Sequence, residues 1–453
     1  MTETTTYDRA SRQLKLLSQA IDSGRIGPAR RLVNTLSPAE IGNLLESLPP
    51  GRRLMVWGLV PPEDDGEVLV HVGDEVRESL IQDMEPAELV AAAESLDVDD
   101  LAELMEDLPD HLVEVVLKSM DRENRERLEQ MLSYPEDTAG RLTNPDVVTV
   151  RADVTVDVVL RYLRMRGELP EATDRVYVVS RRHQYLGQVS LATLVTADPE
   201  APLNDLMDES QSAIDANTTA GDVAKAFQDE NWYSAPVVDE DNVLLGRITV
   251  DDVMDIVQEQ AEHQVLSAAG LDEEEDLFSP VRRAARRRAL WLGVNLVTAF
   301  LASWVIGRFE AVLQQVVACA VLMPIVASMG GIAGTQVVTL MVRALALGQV
   351  GYSNAMPLLR KEILVALLNG ALWAVVVGGV AFLVYRDQNL SLAFGSAIVL
   401  NLFAASFAGV FIPLLLRRLG IDPALAGGVI LTTITDCFGF ATFLGISTWL
   451  MVR

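Results

Sequence analysis

Five long apolar runs fill the last third of this chain, and they decide most of what it can become. They cover residues 289–307, 313–341, 362–385, 393–416 and 427–451, and each reaches the roughly 20 residues that the hydrocarbon core of a bilayer requires of a helix. Backbone amides in lipid must be satisfied within the segment, so runs of this length predict five membrane-spanning α-helices. Arg282, Arg283, Arg286, Arg287 and Arg288 precede the first run, and by the positive-inside rule they keep the N-terminal side in the cytoplasm. The loops with Arg343, Arg360 and Lys361 and with Arg417 and Arg418 are basic, while those around Glu310 and Asp387 are nearly neutral. That alternation fits five spans, with the C-terminus outside.

Charge divides the chain at the same place. Residues 281–453 hold five acids (Glu310, Glu362, Asp387, Asp422, Asp436) and thirteen of the 36 Lys and Arg, a net of +8, whereas residues 1–280 carry 58 acids against 23 bases, a net of −35. So negative a field disfavours nucleic acid and attracts cations. The two cysteines, Cys319 and Cys437, both lie in apolar runs, which leaves no disulfide framework and no zinc-type spacing. The start, MTETTTYDRA, has no apolar core of the secretory kind, so the acidic half is expected to stay in the cytoplasm.

Residues 1–133 read as short amphipathic helices in SPAEIGNLLESLPP, EPAELVAAAESL and DVDDLAELMEDLP, with apolar residues at three- and four-residue spacing such as Leu101, Leu104, Met105 and Leu108. The repeating unit is an N-cap, one to two turns with a Leu pair, then Leu-Pro. It predicts an all-α superhelix in which each unit buries its face against its neighbours. Its acids read mainly as solvated faces, with cation sites where two acidic faces meet. After the Pro-rich junction at Tyr134 the pattern turns to two strand–helix–strand–strand–helix units over residues 134–256, with hairpin turns expected at Gly187 and at Asp241-Asn242. The PVVD strand from Pro236 and the Gly246-x-x-Thr249-x-x-Asp252 turn resemble a cystathionine-β-synthase (CBS) domain, so the tandem resembles a CBS pair. In such pairs the Thr and Asp of the turn contact a nucleotide ribose, which makes Thr249 and Asp252 candidates for ATP or another adenine nucleotide. The first unit has Ser190 and Thr193 there. A nucleotide-free regulatory module is the other reading.

A connecting helix follows over residues 257–284. Asp251, Asp255, Glu259 and Glu262 sit at i, i+4, i+8 and i+11, which at 100° per residue places all four within about 80° of one another. Like charges at i, i+4 oppose the helix slightly, so a divalent cation over this stripe would stabilise it; a solvated face is the bland alternative. Asp272-Glu-Glu-Glu-Asp276 extends the acidity into a loop.

In the membrane part, residues 285–453, the last run carries Asp436 near its middle. A carboxylate at the centre of a spanning helix costs roughly 2.5–3.5 kcal/mol, so it faces a bundle interior, a water-filled path or a bound cation. The alternative is an Asp hydrogen-bonded to Thr432, Thr433 or a neighbouring helix. The second run, MPIVASMGGIAGTQVVTLMVRAL, combines Pro324 with Gly330, Gly331, Gly334, Thr335, Gln336 and Thr339, which predicts a broken helix lining a path. Thr433 and Thr435 add small oxygen donors on the last run. Oxygen ligands suit Mg2+, Ca2+ or Mn2+, and Mg2+ is commonly held through its waters by one or two carboxylates. Two chains about a two-fold axis would supply two, which points to a homodimer in the bilayer.

The order of superhelix, YPEDTAGRL junction (134–142), CBS pair with PVVDE (236–240) and TVDDV (249–253), acidic helix, RRLGIDPAL (417–425) and Thr435-Asp436-x-x-Gly439 resembles the MgtE family of magnesium channels over essentially the whole chain. The resemblance implies a homodimeric, Mg2+-selective channel closed by internal Mg2+ bound to its cytosolic domains. It assigns Asp436 to the pore, Thr432 to a pore-lining carbonyl, Asp422 to a Mg2+ shared with the connecting helix, and a plug role to that helix; Asp252 joins the candidate metal residues with Asp251, Asp255, Glu259 and Glu262. The chain differs from the family pattern at Ile332 and Thr335, at Gly428-Val429 in place of Asn-Pro, and at Gln258, Gln260, His263 and Gln264 on the connecting helix. A broader Mn2+/Co2+ transporter with weak gating and a membrane-anchored CBS nucleotide sensor are the competing readings. No Ser/His/Asp, His-Glu-x-x-His or Walker arrangement is present, so no enzyme is expected.

Overall fold

A computed structural model describes residues 3–23, 26–106, 108–170, 172–271, 276–346, 349–351 and 354–451. The chain forms two compact units, Met1–Ala261 with Glu274–Ser279, and Glu262–Glu273 with Pro280–Arg453.

Among the described residues the first unit opens with ten helices, from α1 (Glu3–Asp22) to α10 (Arg122–Leu132). Local chemistry starts them: Ser37 Oγ accepts from Glu40 N while the Glu40 carboxylate accepts from Ser37 N, with Pro38 in the first turn of α3 (Pro38–Glu46). Asp121 caps α10 through Glu123 N and Asn124 N. After the 20-residue α1, these helices run only 6 to 11 residues, too short to be stable alone, and they are held by one shared core that includes Leu17, Ile41, Leu45, Leu69, Leu80 and Leu104. Part of the superhelix repeats after 24 residues. Arg53, on α4 (Pro50–Trp57), donates from Nε to Leu45 O at 3.0 Å and from Nη2 to Leu48 O at 3.1 Å and to Asp276 Oδ2 at 2.8 Å. Arg77, on α6 (Asp74–Ile81), donates in the same pattern to Leu69 O, Val72 O and Glu103 Oε1 at 2.9, 3.1 and 2.7 Å. Each buried guanidinium thus closes the end of the preceding helix and meets a carboxylate from a distant segment, Arg77 also lying 4.0 Å from Asp74.

Two three-stranded sheets follow, β1 (Thr149–Val150)–β2 (Arg175–Val179)–β3 (Tyr185–Ser190) and β4 (Ile214–Asp215)–β5 (Ser234–Val238)–β6 (Leu244–Thr249). In both, the first pair is parallel and the second antiparallel. Helices α11 (Val156–Arg166) and α12 (Leu191–Thr196) accompany the first sheet, and α13 (Ala220–Glu230) and α14 (Val250–Ala269) the second. The expected turn at Asp241-Asn242 lies between β5 and β6, but Gly187 is not a turn. It sits inside β3 opposite Val178, where a side chain would collide with Met207 Cγ at 2.6 Å and Asp208 O at 2.9 Å. Gly246 is its counterpart in β6, under Asn144 O. These glycines admit a neighbouring segment against each outer strand.

Among the described residues the second unit contains five helices long and apolar enough to cross a membrane: α15 (Val281–Gly307), α17 (Val317–Ala346), α18 (Ala355–Tyr385), α19 (Gln388–Arg418) and α20 (Pro423–Met451), with the short α16 (Glu310–Gln315) between the first two. The second span therefore begins at Val317, after a break at Val316, and not at residue 313. It is also continuous: the expected broken helix is not formed, and Pro324 lies inside α17. Tight packing against α19 and α20 supports the turn weakened by the missing proline amide. α19 is the most enclosed of the five and contacts α17, α18 and α20. Its core includes Phe394, Ala397, Ile398 and Leu402 against Phe443 and Leu444 of α20.

Candidate ion path and cation-sensing acids

Asp436 lies close to the midpoint of α20, half-buried, and forms no hydrogen bond or ion pair with any described residue. The threonines around it are engaged with their own helix: Thr432 Oγ1 donates to Gly428 O at 2.8 Å, Thr433 Oγ1 to Val429 O at 2.8 Å, and Thr435 Oγ1 to Thr432 O at 3.1 Å. Such back-bonding satisfies a hydroxyl inside a helix. It leaves the carboxylate without a donor, so the alternative in which Thr432 or Thr433 holds Asp436 is not the arrangement seen. The Thr432 carbonyl, expected as a ligand, accepts from Thr435.

The glycines of α17 divide into two groups. A methyl at Gly330 would meet the Asn401 amide at 2.1 Å, and one at Gly334 would meet Leu431 at 2.8 Å; both residues are buried where helices touch. Gly331 faces open space, and Ile332, Thr335 and Gln336 are exposed. Within the chain, Gly330, Gly334 and Thr435 are buried in helix packing, while Gly331, Gln336 and the half-buried Thr433 remain accessible.

At the start of α20, Asp422 Oδ1 accepts from Ala424 N at 2.9 Å and Oδ2 lies 3.0 Å from His263 Nε2 on α14. The position read as half of a shared Mg2+ site is thus in direct contact with an imidazole. The stripe residues Asp251, Asp255, Glu259 and Glu262 are all exposed on α14. Asp255 lies above the ordinary carboxylate range because of burial, with His71 opposing the shift and Asp251 adding to it. Of the acidic run at 272–276, residues 272–275 lie outside the described residues, and Asp276 pairs with Arg53.

Asp252, a candidate metal residue, is joined by Asp99 and Asp100, which read from the sequence as part of a solvated helix face. At the start of α8 (Val98–Glu106), Asn144 Nδ2 donates to Asp97 Oδ2 at 3.3 Å and to Asp99 Oδ1 at 3.1 Å, and the Asn144 backbone pairs with Arg247 of β6. This brings α8 beside Asp252. Burial, then Asp100 and Asp252, push the Asp99 carboxyl up to about 8 from 3.8. Burial, then Glu103 and Asp252, push Asp100 up to about 7. Burial raises Asp252 to about 6, although it accepts from both Thr249 N and Thr249 Oγ1 at 2.9 Å. Charge here is costly at neutral pH, and a cation would relieve it. Among the described residues no three His, Cys, Asp or Glu converge tightly enough to hold an ion by themselves. The group is an acidic basin and not a finished coordination cage.

Thr249 and Asp252 thus close the turn into α14, as Ser190 and Thr193 close the turn into α12 through a 3.0 Å bond from Thr193 N to Ser190 Oγ. Only the second turn carries a carboxylate. A separate cavity of about 280 Å3, lined by residues including Met131, Tyr134, Thr143, His183 and Leu244, lies toward the other end of β6.

Comparison with known proteins extends over all of these parts. The family profile described as "MgtE: Divalent cation transporter" matches residues 323–446, the MgtE intracellular N domain matches 36–137, and the CBS domain matches 139–200 and 203–259. The "Magnesium transporter MgtE" of Thermus thermophilus is 31% identical over 442 residues, covering 96% of this chain and 98% of that one. The protein of the same name from Bacillus subtilis is 28% identical over 450 residues, 99% of each. Among solved structures, "the cytosolic domain of the Mg2+ channel MgtE in complex with ATP" is 30% identical with a TM-score of 0.49, covering 54% of this chain and 99% of that one. With its N-terminal helical domain, CBS pair and five apolar helices, this chain belongs to the MgtE family of divalent cation transporters, as a multi-pass membrane protein.

Proposed function

We propose that this chain forms a homodimeric channel of the cytoplasmic membrane that passes divalent cations, Mg2+ foremost, beside Asp436, and that its acidic cytosolic part closes the path when the internal ion is plentiful. The observation that carries the reading is the Asp436 carboxylate, half-buried in an apolar helix with no donor from any described residue. An intramembrane acid without a partner suits a passing cation better than a structural bond. The full-length relatives named as magnesium transporters support the choice of ion. Two chains would bring two carboxylates to one hydrated Mg2+, with the N-terminal domains cytoplasmic and the C-terminus outside.

For gating, the Asp99–Asp100–Asp252 basin and the α14 stripe repel themselves when empty. Ions bound there offset the repulsion, and they bias the channel only through better affinity for the closed form. Thr249 and Asp252 are the residues that would face the ribose of ATP or another adenine nucleotide at the CBS pair. The His263–Asp422 contact favours a second reading, a broader Mn2+/Co2+ transporter with weak Mg2+ gating, because an imidazole occupies one side of the shared-ion position. Flux of Mg2+, Mn2+, Ca2+ and Co2+ into liposomes, with Asp436→Ala as control, tests both. Loss of all four fluxes in the variant supports the path, and unchanged flux overturns it. A flat selectivity order in the unaltered protein would favour the broader transporter.

A further inference from the structure

Asn401 lies at the centre of α19, the most enclosed span, and is fully buried. Its Nδ2 donates to Val326 O of α17 at 2.9 Å. The same amide fills the space that side chains would take on two other helical positions. A methyl at Gly330 of α17 would come within 2.1 Å of Nδ2, and one at Gly439 of α20 within 2.7 Å. One side chain on a third helix therefore sets how closely α17 and α20 approach. Its Oδ1 is buried and meets no hydrogen-bond donor among the described residues. A half-satisfied amide is a poor choice for packing alone, since an apolar residue of the same shape would avoid the cost of the unused oxygen. Gly439 lies three residues beyond Asp436, less than one turn of α20. The amide and the carboxylate thus share one level of the bundle.

We propose that Asn401 is a positioning residue for the ion path: its amide fixes α17 against α20 beside Asp436, and its free oxygen accepts from water that enters the bundle at that level. The proposal rests on the reading of Asp436 as the path's carboxylate. Losing Asn401 should move the carboxylate relative to the cation's water shell without removing it, altering apparent affinity and selectivity more than maximal rate.

The test uses the full-length protein in liposomes, with flux measured against Mg2+ concentration and against Mn2+ and Co2+. Asn401→Leu, of similar shape, is expected to raise the half-saturating Mg2+ concentration by about tenfold, the low end of what losing the group behind a metal ligand costs, and to lower the Mg2+-to-Mn2+ ratio. Asn401→Asp, which keeps the oxygen, should recover the ratio in part. Gly330→Ala, whose methyl displaces the amide, should reproduce the Asn401→Leu phenotype. Adding Asn401→Ala to Gly330→Ala should restore the detergent melting midpoint while leaving the affinity defect. If Asn401→Leu reduces only folded yield or maximal rate, with half-saturation and ion ratio unchanged, the residue is structural and the proposal fails. Unaltered flux in Asp436→Ala overturns the path reading itself, whatever Asn401 does.

Discussion

Asp436 and the Asp99–Asp100–Asp252 basin are both carboxylates withheld from bulk water, and they are held by opposite means. Asp436 stands alone on an apolar helix, its neighbouring hydroxyls already bonded to backbone carbonyls. The three basin acids are crowded by one another, and each shift includes a contribution from a neighbouring acid. An isolated charge meets a passing cation without gaining a reason to keep it. A crowded set gains more from the first ion than any single acid would, because that ion also relieves the mutual repulsion. The first arrangement suits passage and the second suits sensing.

Four measurements would break or sharpen this contrast. Asp436→Asn should reduce Mg2+ flux most, by roughly a hundredfold, which corresponds to about 3 kcal/mol; Asp99→Asn with Asp252→Asn should leave maximal flux intact and abolish protection of the cytosolic part by Mg2+ in limited proteolysis. If both variants lose flux equally, the two acid sites are not separate in role. A paired charge offers the next contrast. Asp276→Ala leaves the Arg53 guanidinium buried with only its carbonyl partners among the described residues, which should destabilise the cytosolic part by about 3 kcal/mol, read as a lower midpoint in differential scanning calorimetry.

Protonation gives a smaller effect of known sign. The basin acids have folded values of about 6 to 8 against an ordinary 3.8, so the folded state holds more protons than the unfolded one. Their contribution to stability is therefore complete below about pH 4 and is lost as pH rises through 6 to 8. Millimolar Mg2+ should raise the melting midpoint more at pH 8 than at pH 5, and an equal gain at both would place the ion elsewhere. The smallest expected change belongs to His263→Ala. Freeing Asp422 from the His263 imidazole, a contact worth about 1 kcal/mol, should lower the internal Mg2+ needed to halve the flux by roughly fivefold, measured in inside-out patches.

Local signals made the architecture legible: Pro and capping residues between short Leu-rich turns, two matching strand–helix units, and apolar runs of bilayer length. What depended on distant partners was not legible. Gly187 reads as a turn residue, yet its reason is Met207 and Asp208 pressing on β3. Pro324 reads as a break, but neighbouring helices keep α17 whole. The run DVDD at 97–100 is visible as acidity, whereas its meaning as a basin depends on Asn144 and Asp252 beside it. Asn401 in an apolar run carries no signal until Gly330 and Gly439 are seen to face it.

The twin arginines of the superhelix differ in when they can be completed. Arg77 finds Glu103 26 residues downstream, whereas Arg53 waits for Asp276, 223 residues on. At the usual pace of synthesis, about 5–20 residues per second, that delay is roughly 10 to 45 seconds. During that interval the nascent superhelix carries a guanidinium lacking its counter-charge, while the ribosome is already approaching the first hydrophobic segment. The Arg53–Asp276 pair can therefore form only once synthesis has all but reached that segment.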